Sequence, residues 1–149
     1  MSTYEIRNGD LLISTDKALL DRGFIHQFLS ERSYWAGGIS RETVNRAIEN
    51  SLCFGVYQAG QPAGFARVVT DYATFAWLAD VFIDESRRAR GLGKQLVGAV
   101  LAHPQLAGLR RTLLGTRDAH GLYARFGFGP LEHVERFMQI QNPLAYQRD

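Results

Sequence analysis

A single cysteine, Cys53, stands among the 149 residues, so no intrachain disulfide can form. Histidine is scarce as well. His26, His103 and His133 share no metal-ligand spacing with one another or with Cys53, and no metal site is expected. No apolar run approaches the ~20 residues that a helix needs to cross a bilayer, and no membrane is expected as a partner. The opening Met1-Ser2-Thr3-Tyr4-Glu5 has neither the basic region nor the apolar region of a secretion signal. With one cysteine and no export signal, a reducing cytoplasm is the expected location. Charge of one sign is also missing: the net charge is +2. That is far from the dense basic stripe of a nucleic-acid binder, and nucleic acid is not an expected partner.

What is present is an ordinary globular composition, 46% hydrophobic and 21% charged. A chain of this length suits one domain, residues 1–149, able to bury roughly 70% of its unfolded surface. Tyr4 to Arg7 and Leu11 to Ser14, split by Asn8-Gly9-Asp10, predict an opening hairpin. Thr15 or Asp16 can cap a helix whose Leu20, Phe24 and Phe28 recur at four-residue spacing. Ser40 starts a second helix running to about Asn50. Leu52 to Gln58 and Gly64 to Thr70 read as strands of a hairpin, and Thr74 to Ile83 as a strand buried on both faces. Leu92, Leu96, Ala99 and Val100 form a helical stripe that Pro104 ends. Leu109 to Leu114 reads as a strand. Ala119, Leu122, Tyr123 and Phe126 mark a last helix, and Glu132 to Ile140 a closing strand. The order is β-α-α-β-β-β-α-β-α-β, a mixed α/β domain without repeat or linker.

The most informative stretch is Arg88-Ala89-Arg90-Gly91-Leu92-Gly93-Lys94, between a buried strand and an amphipathic helix. The first N–H groups of a helix have no internal partner and stabilise an anion placed against them. Gly91 and Gly93 let the backbone converge on such an anion, while Arg88, Arg90 and Lys94 add charge suited to a diphosphate. Gln95 follows the lysine where a Walker A element needs serine or threonine. Gly98 falls two positions late for a dinucleotide fingerprint.

Arg88-x-x-Gly91-x-Gly93 resembles the acyl-CoA-binding motif of the GNAT-type N-acetyltransferase superfamily. Ala119-His120-Gly121-Leu122-Tyr123-Ala124-Arg125-Phe126-Gly127-Phe128 resembles its Ala-x-x-Leu-Tyr-x-x-x-Gly-Phe segment. The order of elements across nearly the whole chain is similar too. Two departures stand out: Ala89 and Thr116 occupy positions where the family often has glycine and asparagine. The resemblance implies an α/β fold with a mixed, mostly antiparallel central sheet and helices on both faces. It also implies acetyl-CoA as co-substrate, bound at a splayed strand pair by Val81, Phe82, Ile83, the loop 88–94 and Phe126. A backbone N–H there would polarise the thioester carbonyl.

An N-acetyltransferase acting on a primary amine, small molecule or peptide, is therefore expected. Tyr123 is the candidate acid for the leaving thiolate. Asp80, a carboxylate in an apolar strand, is a candidate base or a structural partner of Arg67. Trp77-Leu78-Ala79-Asp80-Val81-Phe82-Ile83 is similar to the diamine acetyltransferases, but Ala79 stands where those have a glutamate proposed as base. That leaves Asp80, Asp71 or water for the role. His120 could assist proton transfer. Tyr34, Trp35, Asp71 and Trp77 are expected to contact the acceptor, aromatic faces with a carboxylate suiting a cationic amine. A silent acyl-CoA-sensing module is the main alternative, and a homodimer is left open.

Overall fold

The computed structural model describes residues 2–88 and 90–147. Its six strands form one sheet in the order β1-β2-β3-β4-β5-β6: Glu5–Asn8, Leu11–Ser14, Leu52–Gln58, Gln61–Thr70, Phe75–Ile83 and Arg111–Leu114. Neighbours are antiparallel except β5 and β6, which run parallel. Parallel strands need a crossover, and α3 (Leu92–Leu101) supplies it.

Helices cover both faces. On one lie α1 (Arg22–Gln27), the π turn Phe28–Arg32 that continues it, and α2 (Arg41–Glu49). Their Ile25, Phe28, Leu29, Val44 and Ile48 pack with Cys53, Phe65 and Phe82 of the sheet. On the other face Leu92, Leu96, Val97 and Val100 of α3, with Tyr123 of α4 (His120–Ala124), pack on Phe54, Val56, Val68, Leu78 and Ile83. Residues of even and odd number along β3 go to different cores, as a pleated strand buried on both sides requires.

The caps fall close to the expected places. Asp16 accepts from the Ala18 N–H and opens a 3-10 turn, Lys17–Leu19, while Asp21 caps α1 through the Phe24 N–H. Ser40 caps α2 by accepting from the Thr43 N–H at 3.1 Å.

The expected closing strand does not form. Residues 132–140 hold a 3-10 turn, Val134–Arg136, and an irregular run that pairs with no strand. Met138 and Ile140 are fully open to solvent. The run has strand composition, but a strand exists only against a partner edge, and here none lies alongside. Among the described residues no helix is long and apolar enough to cross a membrane.

Candidate active site

β5 is where the sheet stops being regular. Gly64 pairs with Ile83 and Phe65 with Phe82, yet Arg67 pairs with Ala79. Asp80 and Val81 together therefore oppose the single residue Ala66, a β-bulge, and Asp80 takes the left-handed φ of +51°. The extra residue inverts the alternation. Ala76 and Leu78 face the α3 core and so does Ile83, whereas Phe82 faces the α1–α2 core. Without the bulge Asp80 would share the face of Leu78 and put a carboxylate into the apolar α3 core, at a cost of several kcal/mol.

Turned the other way, Asp80 is fully engaged. Its Oδ2 accepts from Arg67 Nε at 2.8 Å, and its Oδ1 accepts from the Trp35 indole N–H at 2.8 Å. Arg67 also donates to Ser51 Oγ at 3.1 Å. The Arg67 partnership is one of the two roles that the sequence leaves open for Asp80. The Trp35 bond is not, because nothing in the order of residues shows that the α1–α2 connection folds back onto β5.

Beyond the bulge the two parallel strands part. β6 pairs with β5 only from Phe75 to Leu78, and β5 continues to Ile83 with no strand beside it on that side among the described residues. A cleft of about 1090 Å³ opens there. Ala79 to Ile83 of β5, Arg88 and Gly91 to Lys94 at the start of α3, and Leu114 to Thr116 after β6 all line it, with Leu122 and Tyr123 of α4. Tyr34, Trp35 and Trp77 form its opposite mouth, joined by Tyr146.

The α3 end of the cleft is electropositive. Gly91 caps the helix with φ +73° and no side-chain acceptor, so the Leu92, Gly93 and Lys94 N–H groups keep no intrahelical partner. Apart from its chain neighbours, no described atom lies within 4 Å of where a Gly91 Cβ would stand. Arg88 is anchored by its Nε to the Ile83 carbonyl at 3.1 Å. Arg90 does not line the cleft; its guanidinium lies 3.5 Å from Gln58 Oε1, the acceptor that Arg87 also uses. Ala89 lies outside the described residues. Phe126 is not on the cleft wall either: its ring packs under Gly98 of α3 and holds α4 against that helix.

Tyr123 is buried at the meeting point of β5, α3 and α4, 8% exposed, its ring edge-on to Phe128 at 5.8 Å. Burial raises its phenol pKa, with a smaller push from Tyr34, so the hydroxyl keeps its proton. Tyr34 accepts the Arg117 N–H at 2.8 Å, and the Arg117 guanidinium lies 4.1 Å over its ring. Thr116, at the family's asparagine position, accepts the Ala119 N–H at 3.0 Å and opens α4.

Asp71 stands apart from this group. It does not line the cleft, and its exposed carboxylate closes the β4–β5 turn. Bonds from Thr74, then from Ala73 and Phe75, hold its carboxyl far below the usual range. A short polar side chain opening a turn reads in sequence like a binding carboxylate, and the turn is its use here. His120 is exposed and off the cleft wall. Cys53 is buried, donates weakly to the Ile48 carbonyl, and burial pushes its thiol up to about 11. Among the described residues no group of three or more His, Cys, Asp or Glu is placed to hold a metal.

Known proteins share this fold. The model of the acetyltransferase (GNAT) family matches residues 22–128. A candidate acetyltransferase of Gibberella zeae is 30% identical over 139 residues, covering 78% of this chain and 77% of that one. The crystal structure of a candidate GNAT-family acetyltransferase from Xanthomonas campestris pv. campestris is 50% identical, with a TM-score of 0.90 over 93% of this chain and 97% of that one. A GNAT acetyltransferase from Elizabethkingia anophelis, solved with acetyl-CoA bound, shares the fold at 14% identity, with a TM-score of 0.61 over 82% of this chain and 78% of that one.

Proposed function

We propose that this chain, which belongs to the acetyltransferase (GNAT) family, transfers an acetyl group from acetyl-CoA to a primary amine of a small molecule. The observation that carries the reading is one cleft holding three things: unpaired helix N–H groups, an unpaired strand edge and a buried, protonated tyrosine.

The residues present fit the donor. The open N–H groups of Leu92, Gly93 and Lys94, with Arg88 and the Lys94 ammonium, suit a diphosphate. The edge of β5 beyond Leu78, where only the Ile83 carbonyl is already taken by a side chain, that of Arg88, offers backbone donors and acceptors to an amide-bearing arm, as an added strand would find. Acetyl-CoA, when bound, supplies an activated acyl carbon and a thiolate leaving group. In this reading a β5 backbone N–H at the bulge would polarise the acyl carbonyl, a contribution of the oxyanion-hole kind. Tyr123 lines the cleft with its hydroxyl protonated at neutral pH, and it hydrogen-bonds the departing sulfur and donates its proton to it.

Asp80 acts as a positioning residue in this reading. Both its oxygens already accept N–H groups, and they tie Trp35 and Arg67 to the bulge. The proton of the amine leaves instead to water at the open mouth of the cleft. The acceptor meets the faces of Tyr34, Trp35 and Trp77, which suit an amine carrying an apolar or cationic body.

A thiol-release assay with acetyl-CoA against a panel of small amines and peptides tests this. Amine-dependent CoA release, strongly reduced in Tyr123→Phe, is expected with at least one small amine. Acetyl-CoA that raises the melting temperature without releasing CoA against any acceptor would establish a sensing module instead.

A further inference from the structure

Among the described residues, every carboxylate that lines the cleft is already matched to a cation. Asp80 accepts from Arg67 at 2.8 Å and from the Trp35 indole. Glu85 meets Arg32 at 2.5 Å, and Asp118, at the exposed rim, meets Arg117 at 3.4 Å. Against these three carboxylates stand six cationic lining side chains: Arg32, Arg67, Arg87, Arg88, Lys94 and Arg117. A donor diphosphate at the start of α3 neutralises Arg88 and Lys94. It supplies nothing to the acceptor half, between the α1–α2 connection and β5. A second ammonium brought there would find no free carboxylate, and a charge taken out of water without a partner is costly.

The same half is built of aromatic rings that are already held in place. Trp35 is fixed at its indole N–H by Asp80, and Tyr34 at its hydroxyl, which accepts the Arg117 backbone N–H. The two rings stand edge to face at 5.0 Å. Trp77 lies with its ring edge by Gly115, where a Cβ would come 3.7 Å from its Cη2. Ile39, Val44 and Ile48 add an apolar wall. Rings tied at their polar ends lose little rotamer freedom when a flat body stacks on them. The face that could hold a cation is taken, because the Arg117 guanidinium lies 4.1 Å over the Tyr34 ring. An added cation would meet that positive charge as well as the ring. We infer that the acceptor is a monoamine whose single amino group is carried on a short arm from a flat aromatic body, and that Arg117 turns diamines away. The inference rests on the amine-acetylating reading above and narrows its acceptor. Arg117 acts here as a specificity-determining residue, through repulsion of the wrong amine.

Three matched probes test this: 2-phenylethylamine, hexylamine and 1,4-diaminobutane. Binding is read by quenching of tryptophan fluorescence with CoA, the product, filling the donor site. 2-Phenylethylamine should bind about ten-fold or more tighter than 1,4-diaminobutane, with hexylamine between them. The same order is expected in kcat/KM for CoA release from acetyl-CoA. A diamine that binds as well as 2-phenylethylamine, or no binding of any probe at millimolar concentration, overturns the inference. Release of CoA with the diamine preferred does so while leaving acetyl transfer standing. Tight binding of 2-phenylethylamine without CoA release from any amine supports the acceptor class and overturns the transfer reading. A gain-of-function variant gives the second measurement. Arg117 is 64% exposed, and Arg117→Glu replaces the repelling charge with a counter-ion while keeping the backbone N–H that Tyr34 accepts. It should shift binding toward 1,4-diaminobutane, relative to 2-phenylethylamine, by about ten-fold or more. An unchanged ratio overturns the part given to Arg117.

Discussion

At the scale of single residues, two side chains of one cleft do opposite jobs because of what surrounds them. Tyr123 is buried and carries a raised pKa, so it remains a proton donor throughout the physiological range. Tyr123→Phe removes the hydroxyl and little packing. It should lower kcat by roughly 10²-fold or more while the KM for acetyl-CoA stays within a few-fold; steady-state kinetics decides, and an unchanged kcat removes Tyr123 from the chemistry. Asp80, in contrast, is held on both oxygens and its side chain is only 12% exposed. Taking away its charge leaves Arg67 half-partnered in a poorly solvated place. Asp80→Asn should therefore cost about 3 kcal/mol of folding stability, read by chemical denaturation. The pH–rate profile should keep its shape, since a positioning residue contributes no ionisation to the rate. A lost acidic limb would make Asp80 the base after all.

At the scale of elements, the bulge of β5 is the feature from which the cleft follows, and its neighbours constrain it tightly. A Cβ on Gly64 would come within 2.6 Å of the Phe82 carbonyl oxygen and 2.7 Å of Ile83 Cδ1. The first contact is backbone and cannot rotate away. Gly64→Ala should therefore push β4 from β5, destabilise by about 1–3 kcal/mol and impair catalysis, whereas a variant with wild-type melting and kinetics would show the ladder to be more pliable. Much of this level was legible in the residues. β3 and the far end of β5 follow their apolar runs, α2 begins at its Ser40 cap, and the Arg88–Lys94 motif does open a helix beside a cleft. The bulge was not legible. An Asp in an apolar run marks that something is unusual, but the two-against-one pairing exists only once Ala66 lies opposite. The final segment, 132–140, misled for the same reason in reverse, because strand composition needs an edge that lies elsewhere in the sequence. Asp71 misled because a turn-closing carboxylate and a ligand-binding one look alike in a string of letters.

At the scale of the whole molecule, two cores on opposite faces hold the sheet together at β3 and β4 while its β5–β6 end stays open for chemistry. The closed end carries a buried histidine. His103 is 5% exposed, between the rings of Tyr4 at 4.9 Å and Phe54 at 5.8 Å, and its Nδ1 accepts the Gln105 N–H at 3.1 Å. With Nδ1 accepting, the ring is neutral and its remaining proton sits on Nε2. Burial lowers its pKa below the usual 6.5. The sign follows: the unfolded chain takes up a proton near pH 6.5 that the folded chain refuses. The stability is complete above that pH and declines as pH falls through it toward the folded value. The slope can reach about 1.4 kcal/mol per pH unit. His103→Asn keeps an acceptor for the Gln105 N–H but cannot titrate there. Denaturation midpoints measured from pH 7 to pH 5 should fall less steeply for the variant than for the wild type, whatever the offset between them. Parallel lines would mean that the acid sensitivity of the fold lies in other groups and that His103 is protonated as readily folded as unfolded.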